Sequence, residues 1–414
     1  MMQVVIVGAG PGDERFLTLE AKERIMTSDL VFATDRLFGL LGYLNPNTRC
    51  TALADIPDAV CAARGCREVV ILVSGDCGFY SLGKGLSALL QERWRERPGG
   101  TGYEIVYING ISSLQYLCAR VGLPWDGVKT ISLHGRSGDI LPFVCYNHKV
   151  FALTGGSVRA HEVIGRLVAA GLGQVFVAVG ENLGMASERL LAGEARNLAA
   201  EIFGDMTSLL VVHEQWRNPH EQLRDSALTR GRTPMTKEAV RALALAALAI
   251  QPGDRVCDIG AGTGAMAVCM ARKAHEGMVY AVEKNPEALG LLAKNRQELG
   301  AFNMEILRAD APDGLFGGQE ALPAPDKAFI GGSGGRLPEI MGALFAKNSA
   351  IQVVVTAITL ETLHTAILAF REQGCEPEIA CANMARASAR GACTLMQADN
   401  PVYIIGGKRP SNER

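Results

Sequence analysis

A glycine-rich turn in the second half of the chain has the residue types and spacing of a ligand site. Residues 256–264 read VCDIGAGTG, so a buried strand runs into three glycines before a helix that we expect to begin near Ala265. Glycine carries no Cβ, and its backbone can therefore approach a ligand closely. The next predicted strand ends in Glu283, which is 283 minus 260, or 23, residues after Gly260. A carboxylate at that place grips a ribose diol, so the pattern predicts a site for an adenosine-containing ligand.

The strand predicted at 304–308 brings Asp310 and Ala311 to the same edge, where they can meet an adenine ring. The turn by itself does not identify the ligand, because G-x-G-x-x-A also satisfies the fingerprint of dinucleotide-binding proteins. A nicotinamide oxidoreductase over 231–414 is therefore an alternative. It would need an acid/base group beside the nicotinamide, and we find no such constellation in the sequence.

A second glycine segment lies at the N-terminus, where residues 7–18 read VGAGPGDERFLT. Pro11 restricts this turn, and Asp13 stands where a dinucleotide loop needs a third small residue. The segment is therefore a loop of another kind.

Two α/β patterns position these glycine segments. The first pattern predicts strands at 4–8, 68–75, 103–110, 150–156, 175–180 and 208–213. The second begins near Gly231 with an amphipathic stretch over 237–250 and predicts strands at 255–260, 278–283, 304–308, 327–330 and 351–358. The segment 214–227 between them is polar and lacks apolar periodicity. We therefore expect one domain over 1–213, a linker over 214–227 and a second domain over 228–414.

Length and composition agree with this division. A chain of 414 residues exceeds the ~250–300 residues at which a single core stops growing. A net charge of -2 offers no field that would attract nucleic acid or an anionic membrane, and no apolar run approaches the ~18 residues of a membrane span. The eleven cysteines include no C-x-x-C pair and no zinc spacing. We expect a cytoplasmic protein with reduced thiols and no metal site, without a secretory or transit segment at its N-terminus.

Four further segments accompany the C-terminal turn, at 233–242 (TPMTKEAVRA), 283–288 (EKNPEA), 329–335 (FIGGSGG) and 355–362 (VTAITLET). In this order they resemble the decarboxylating precorrin methyltransferase family, over about 230–410. The resemblance implies a class I, Rossmann-like α/β fold with S-adenosylmethionine at the carboxyl ends of the strands. It also implies roles for individual residues. Gly260, Gly262 and Gly264 would line the methionine, Glu283 would hold the ribose, and Asp310 with Ala311 would flank the adenine. The loop with Gly332, Ser333 and Gly334 would face the substrate, where backbone N–H groups can receive a carboxylate.

The N-terminal segment resembles the signature of the tetrapyrrole methylase family, a class III methyltransferase fold. Matching segments lie at 73–80 (VSGDCGFY), 109–115 (NGISSLQ), 153–156 (LTGG) and 180–184 (GENLG). The resemblance places Gly10 and Gly12 near the tetrapyrrole, and it assigns donor contacts to Gly75, Asp76, Tyr80, Ser112, Ser113, Leu153 and Thr154. One residue departs from the pattern, because Cys77 stands where the family has proline. We do not interpret Cys77 as a nucleophile, since methyl transfer from a sulfonium needs none.

The two resemblances occur in the order of a known fusion, the decarboxylating precorrin-6Y methyltransferases. They imply methylation of a precorrin at carbons 5 and 15, loss of carbon dioxide from the ring C acetate, and two S-adenosylmethionine sites. The cobalt-precorrin version of these steps, in the oxygen-independent route to cobalamin, is an alternative that the sequence leaves open. A corrinoid carrier without enzymatic activity is a further alternative.

A substrate with several carboxylates calls for arginine forks. Arg36 and Arg232 are our candidates in or near matched segments, with Arg136, Arg386 and Arg390 as further ones. The sequence reveals no acid/base residue. The C-terminal resemblance also implies a homo-oligomer, which we expect to be a tetramer formed through that domain.

Overall fold

The computed structural model describes residues 2–63, 65–81, 83–95, 103–134, 138–313, 315 and 322–410. Contacts divide the chain into two units. The first unit comprises Met1–Gly138, Lys149–Val168 and Leu172–Val212. The second comprises Asp139–His148, Ala169–Gly171 and His213–Arg414.

The first 212 residues contain ten strands and eight α-helices among the described residues. The strands are β1 (Met2–Gly8), β2 (Leu30–Ala33), β3 (Thr48–Cys50), β4 (Glu68–Val73), β5 (Tyr103–Ile108), β6 (Val128–Ser132), β7 (Lys149–Thr154), β8 (Phe176–Glu181), β9 (Arg189–Glu194) and β10 (Thr207–Val212). The helices are α1 (Leu19–Thr27), α2 (Asp35–Leu41), α3 (Ile56–Ala62), α4 (Gly83–Arg95), α5 (Ser113–Val121), α6 (Leu141–Tyr146), α7 (Ala160–Ala169) and α8 (Ala195–Leu198).

Two sheets organise the first unit. One is parallel, in the order β3-β2-β4-β1-β5, and the other is mixed, in the order β6-β7-β10-β8-β9. Successive side chains of β1 point to opposite faces of the parallel sheet, since side chains alternate along a strand. Val4 and Ile6 belong to one buried cluster, and Val5 and Val7 belong to the other. Burial on both faces explains why this strand reads as a continuous apolar run.

The second unit is built on one sheet of seven strands. Its strands, with those of a separate hairpin, are β11 (Val256–Ile259), β12 (Val279–Glu283), β13 (Met304–Arg308), β14 (Lys327–Ile330), β15 (Gln352–Ala357), β16 (Glu378–Ala382), β17 (Ala385–Arg390), β18 (Cys393–Ala398) and β19 (Val402–Gly407). The helices are α9 (Glu238–Leu248), α10 (Ala265–Lys273), α11 (Pro286–Glu298), α12 (Leu337–Lys347) and α13 (Leu360–Glu372).

The strand order of this sheet is β13-β12-β11-β14-β15-β19-β16, and β19 runs antiparallel to both of its neighbours. The chain winds outward from β11 in one direction and from β14 in the other. Such a reversal leaves a crevice at the carboxyl ends of the two central strands, which is where open α/β sheets bind ligands. Strands β17 and β18 form a separate two-stranded sheet.

The observed elements confirm the predicted α/β class. No helix among the described residues is long and apolar enough to cross a membrane. All eleven cysteines are free thiols. Within the described ranges, no group of three or more His, Cys, Asp or Glu side chains is arranged to hold a metal ion.

Candidate functional site

The crevice of the second unit is closed at its base by a main-chain contact between two loops. Gly260 follows β11, and Gly332 follows β14. A Cβ added to Gly260 would lie 2.5 Å from the carbonyl oxygen of Gly332 and 2.9 Å from its Cα and N, and Gly260 has a φ of +72°. Any side chain at position 260 would therefore push the two loops apart. The glycine that the sequence predicted for ligand approach also sets the distance between the loops.

Gly264 serves helix packing. It immediately precedes α10, and an added Cβ would lie 2.3 Å from Cδ1 of Leu292 on α11. A Cβ on Gly262, by contrast, would meet only ordinary contacts, with Pro234 O at 3.5 Å as the nearest atom. Of the three glycines in this turn, Gly262 is therefore the one where an added Cβ would have the most space.

Glu283, at the end of β12, fastens the glycine turn. Its Oε2 accepts a 2.8 Å hydrogen bond from the Gly262 N–H, and its Oε1 accepts from the N–H groups of Lys284 and Asn285, both at 2.8 Å. The carboxylate therefore caps the following turn and also reaches the neighbouring loop.

Two cavities include the Gly260–Gly332 contact in their lining. The small cavity, of about 280 Å³, is lined by Glu283, Asp310 and Ala311 together with Gly260, Gly262 and the loop at 331–334. It thus gathers most of the residues that the sequence assigned to the donor. Lys284 also lines it, and its Nζ lies 3.0 Å from Oδ1 of Asp310. The Asp310 carboxylate is therefore paired with an ammonium group in this structure.

The large cavity, of about 600 Å³, shares this contact with the small one. Gly332, Ser333 and Gly334 line both cavities, as the loop predicted to face the substrate would need to do. The far wall of the large cavity is formed by residues that include Ile358, Met384 and Arg386.

Asp258, inside β11, is a buried carboxylate at the floor of the large cavity. It is fully buried, and neither carboxylate oxygen has a hydrogen-bond partner among the described residues. Burial, reinforced by the negative charge of Glu283, raises the pKa of Asp258 to about 8. An unpaired buried carboxylate is costly, and a buried acid with a perturbed pKa in a cleft is a mark of a functional site.

The predicted arginines occupy different environments. Arg386 lines the large cavity, whereas Arg232 is exposed and lines neither cavity; its backbone N–H lies 3.4 Å from Oε1 of Glu287. Arg136 lies outside the described residues. Arg390 ends β17, and its side chain also lies outside them.

In the first unit, three glycines from three adjacent strands of the parallel sheet form a comparable contact. Gly8 ends β1, Gly75 follows β4 and Gly110 follows β5. A Cβ on Gly110 would lie 2.4 Å from the carbonyl oxygens of both Gly75 and Gly8. Gly10 exchanges two backbone hydrogen bonds with Gly75, of 3.0 and 2.8 Å. The structure therefore joins the loop predicted for the tetrapyrrole to the loop predicted for the donor.

The loop after β4 carries Asp76 and Tyr80. Asp76 Oδ1 accepts from the Gly78 N–H at 2.8 Å, and Oδ2 accepts from the Gly110 N–H at 3.2 Å. Tyr80 has a φ of +47° and is 43% exposed. A non-glycine residue in this left-handed region is strained, and such strain concentrates at functional sites.

Four residues predicted to contact the donor lie at element ends. Ser112 is the N-cap of α5, where its hydroxyl accepts from the Gln115 N–H, and Ser113 is the first residue of that helix. Leu153 and Thr154 end β7. The Thr154 hydroxyl donates to the carbonyl of Thr207 at 3.1 Å, so it has a structural partner within the mixed sheet.

Arg36 connects the two predicted loops of the first unit. Its Nη2 donates to Ser74 Oγ at 2.6 Å, and its Nη1 donates to the carbonyl of Pro11 at 3.3 Å. A Cβ on Gly12 would lie 3.2 Å from Nη1. Burial lowers the pKa of Arg36 from its usual value. This guanidinium lies beside Gly12, as a substrate-binding arginine of that loop would.

Cys77, the departure from the family pattern, is buried. Burial, with the charge of Asp76, raises the pKa of its thiol. A raised pKa disfavours the thiolate, which is the nucleophilic form, so the structure agrees with a packing role.

The sequence alone indicates no role for three polar residues of the crevice, Asp258, Lys284 and Lys237. Asp258 opens the DIGAGTG turn, and an acid inside an apolar strand is unusual enough to be a signal. Lys284 follows Glu283 directly, whereas Lys237 carries no local signal that separates it from a surface lysine.

Comparisons with known proteins agree with this architecture. Residues 3–199 match the family model of tetrapyrrole (corrin/porphyrin) methylases, and residues 229–407 match that of the precorrin methyltransferase domain. A precorrin-6Y C(5,15)-methyltransferase [decarboxylating] from Sinorhizobium sp is 27% identical over 86% of this chain and 85% of its own length.

Two further relatives match the C-terminal half. A probable cobalt-precorrin-6B C(15)-methyltransferase (decarboxylating) from Pyrobaculum calidifontis is 38% identical over 42% of this chain and 87% of its own. A crystal structure of precorrin-6Y C5,15-methyltransferase from Geobacter metallireducens GS-15 is 34% identical, covers 46% of this chain and 96% of its own, and has a TM-score of 0.43.

Two methylase domains on one chain define a two-domain tetrapyrrole methyltransferase, and they confirm the predicted fold of each half. The chain belongs to the decarboxylating precorrin-6Y C(5,15)-methyltransferase family.

Proposed function

We propose that this protein methylates a precorrin at carbons 5 and 15 and removes carbon dioxide from the ring C acetate, in cobalamin biosynthesis. The observation that carries the proposal is the occurrence of both methylase families on one chain, with a relative of that activity aligned along 86% of it. S-adenosylmethionine is the methyl donor of this family. An oxidoreductase or a corrinoid carrier would not explain both matches.

The crevice of the second unit fits this donor in its chemistry. The donor carries an ammonium group and a sulfonium, and the orphaned carboxyl group of Asp258 lies beside the glycine turn, where a bound cation would favour its ionised form. Gly262 leaves space where a side chain would stand, and Gly260 allows the loop at Gly332 to approach the turn. Glu283 would hold the ribose, with Asp310 and Ala311 at the adenine and Gly264 behind the turn. When bound, the donor supplies a methyl group that is already activated.

The protein then has chiefly to bind, align and exclude water. A macrocycle carbon would receive the methyl group, the acceptor would lose one proton, and S-adenosylhomocysteine would remain. In decarboxylation the bond between the acetate methylene and the carboxyl carbon would break, carbon dioxide would leave, the electron pair would pass into the conjugated ring, and a proton taken up at the methylene carbon would convert it to a methyl group. The loop with Gly332, Ser333 and Gly334 would face the substrate at this step, where its N–H groups could receive a carboxylate.

We also propose two donor sites, with the residues of the first unit serving methylation at carbon 5. Gly75, Asp76, Tyr80, Ser112, Ser113, Leu153 and Thr154 would serve this donor, while Gly10, Gly12 and Arg36 would face the acceptor. Arg232 would bind a carboxylate of the acceptor at the second unit. The separate glycine contacts of the two units support two sites. Titration of the full chain with S-adenosylmethionine should give a stoichiometry near two, and a value of one would contradict this proposal.

Incubation of the protein with S-adenosylmethionine and a precorrin acceptor tests the activity itself. Mass spectrometry should show the gain of two methyl groups and the loss of one carbon dioxide. An unchanged acceptor would refute the function. Parallel reactions with metal-free and cobalt-containing acceptors separate the two versions of the pathway, since relatives of the C-terminal half carry the cobalt-precorrin name.

A homo-oligomer formed through the second unit is a further part of the proposal. The hairpin of β17 and β18 supports it, because all six residues of β18 are exposed in the single chain, including Leu395 and Met396. Exposed apolar strands of this kind are partner surfaces. Light scattering should give the mass of a tetramer, and a monomer would contradict this part.

A further inference from the structure

A chain of ion pairs runs from the core of the second unit to the wall of the large cavity. Its inner end is Arg241, which is 1% exposed. Arg241 Nη1 lies 2.6 Å from Oδ1 of Asp225, and its guanidinium also donates to the carbonyls of Thr236 and Leu223. Although burial opposes ionisation, the hydrogen bond and charge of Arg241 lower the pKa of Asp225. Asp225 is therefore a fixed, charged anchor.

Two cations at the cavity wall depend on this anchor and on Asp399. Arg386 Nη1 lies 3.6 Å from Oδ2 of Asp225, and its Nε lies 3.4 Å from Oδ2 of Asp399. Lys237 pairs with the other oxygen of Asp399. Lys237, Arg386 and Asp399 all line the large cavity. The ammonium group of Lys237 and the guanidinium of Arg386 therefore lie on two sequence segments and pair with the carboxylate of Asp399 on a third.

The chain of ion pairs is not neutral. It joins three cations, Arg241, Arg386 and Lys237, to two carboxylates, Asp225 and Asp399, so one positive charge remains. The side chains of Lys237 and Arg386 are each 48% exposed, so they can still reach a ligand. Exposed Ile358 and half-buried Met384 line the same cavity and offer it apolar surface.

We propose that Arg386 and Lys237 together bind one carboxylate side chain of the tetrapyrrole acceptor, and that Asp225 and Asp399 are positioning residues for these two cations. A guanidinium fork beside an ammonium matches a carboxylate in charge and geometry. The pair therefore selects acceptors that carry an acid at one place on the ring. This inference rests on the proposed function and extends it to substrate selection.

The test is steady-state kinetics of the full chain with R386Q and K237Q, using the precorrin acceptor and forms of it in which single carboxylates are converted to primary amides. R386Q should raise KM for the acceptor on the order of ten- to a hundredfold. The R386Q variant should also give the same KM for the precorrin acceptor and for one of its single-amide forms. Affinity for S-adenosylmethionine should be unchanged. R371Q is the matched control, because Arg371 pairs with Glu376 and lines neither cavity.

An unchanged KM in both variants, with an active wild type, would overturn the inference. If R386Q loses donor affinity and thermal stability as well, its KM is not informative. The KM of K237Q for the acceptor is then the test, and a value equal to that of the wild type overturns the proposal. A changed oligomeric mass with an unchanged KM in R386Q would instead make this arginine a fastener of the β17–β18 hairpin. An inactive wild type refutes the proposed function, and titration of the wild type with the acid and amide acceptors then tests the inference by binding alone.

Discussion

The two units build their glycine contacts in different ways. In the first unit, Gly8, Gly75 and Gly110 bring three parallel loops together, and Asp76 fastens them from within one of those loops. In the second unit Gly260 and Gly332 touch, and Glu283 fastens the turn from a neighbouring strand. Gly260 and Gly332 also line both cavities of this unit. The contact between two loops therefore leaves open space beside it, whereas the contact among three loops packs their main chains together.

The largest effect should come from Gly260→Ala. The added Cβ would meet the Gly332 backbone, and the residue would have to keep a positive φ, so the cost should be about 2–5 kcal/mol. Decarboxylation and methylation at carbon 15 should be lost while methylation at carbon 5 persists. Product analysis by mass spectrometry measures both. Gly290→Ala in α11, where nothing lies within 4 Å, is the control and should be neutral or stabilising.

Gly110→Ala should impair the first unit instead of the second, with a smaller loss of folding free energy than Gly260→Ala. Its Cβ would press on two carbonyl oxygens, but its φ is not in the left-handed region, so only overpacking of about 1–3 kcal/mol is expected. Methylation at carbon 5 should fall while decarboxylation continues. Loss of both activities would mean that the units do not work separately. Gly85→Ala in α4 provides the open-space control.

Glu283→Ala and Asp76→Ala each remove the carboxylate that accepts a hydrogen bond from a glycine N–H of a neighbouring loop. Removal of Glu283 leaves three backbone N–H groups without their acceptor and removes the proposed ribose anchor. Donor affinity in the second unit should fall on the order of ten- to a hundredfold, or about 1.5–3 kcal/mol. Calorimetry of each variant should show one site lost and the other kept. Unchanged affinity with a lowered melting temperature would assign Glu283 to capping alone.

Asp258→Asn should change the pH dependence of stability. The pKa of Asp258 is raised to about 8 in the folded state, from a usual value of 3.8. The folded protein therefore holds a proton that the unfolded chain releases, and stability should fall as pH rises from about 4 to 8, by at most about 1.4 kcal/mol per pH unit. Asp258→Asn should flatten this slope in urea unfolding curves. An identical slope in the variant would contradict the raised pKa.

Much of the fold could be predicted because its central strands are β-branched runs. The strands predicted at 4–8, 103–110 and 304–308 lie within two residues of β1, β5 and β13. Strands β2 and β3 have only four and three residues, which is too short for a periodic signal. Hairpin β17–β18 was missed for another reason. Strand β17 alternates polar residues with alanine, which is depleted in strands, and β18 shows no alternation of apolar and polar residues.

The residues of the site also fall into those that a local sequence pattern indicates and those that none does. Glycine spacing and strand-end acids are local signals, so the sequence could indicate Gly260, Glu283 and Asp310 together, and the structure does bring them to one cavity. The pairing of Lys237 with Asp399 joins positions 162 residues apart. No local pattern encodes such a pair, because it exists only once the sheet has brought the two segments together.

The contact between Gly260 and Gly332 limits how the acceptor range of such an enzyme could change. A Cβ at position 260 would separate the two loops, whereas a Cβ at position 332 would meet only Gly260 Cα, at 3.9 Å. Variation in substrate preference is therefore expected at position 332 and at other lining positions such as Ile358, Met384 and Arg386. A library intended to retarget the enzyme to a different ring should keep position 260 as glycine and randomise these other positions.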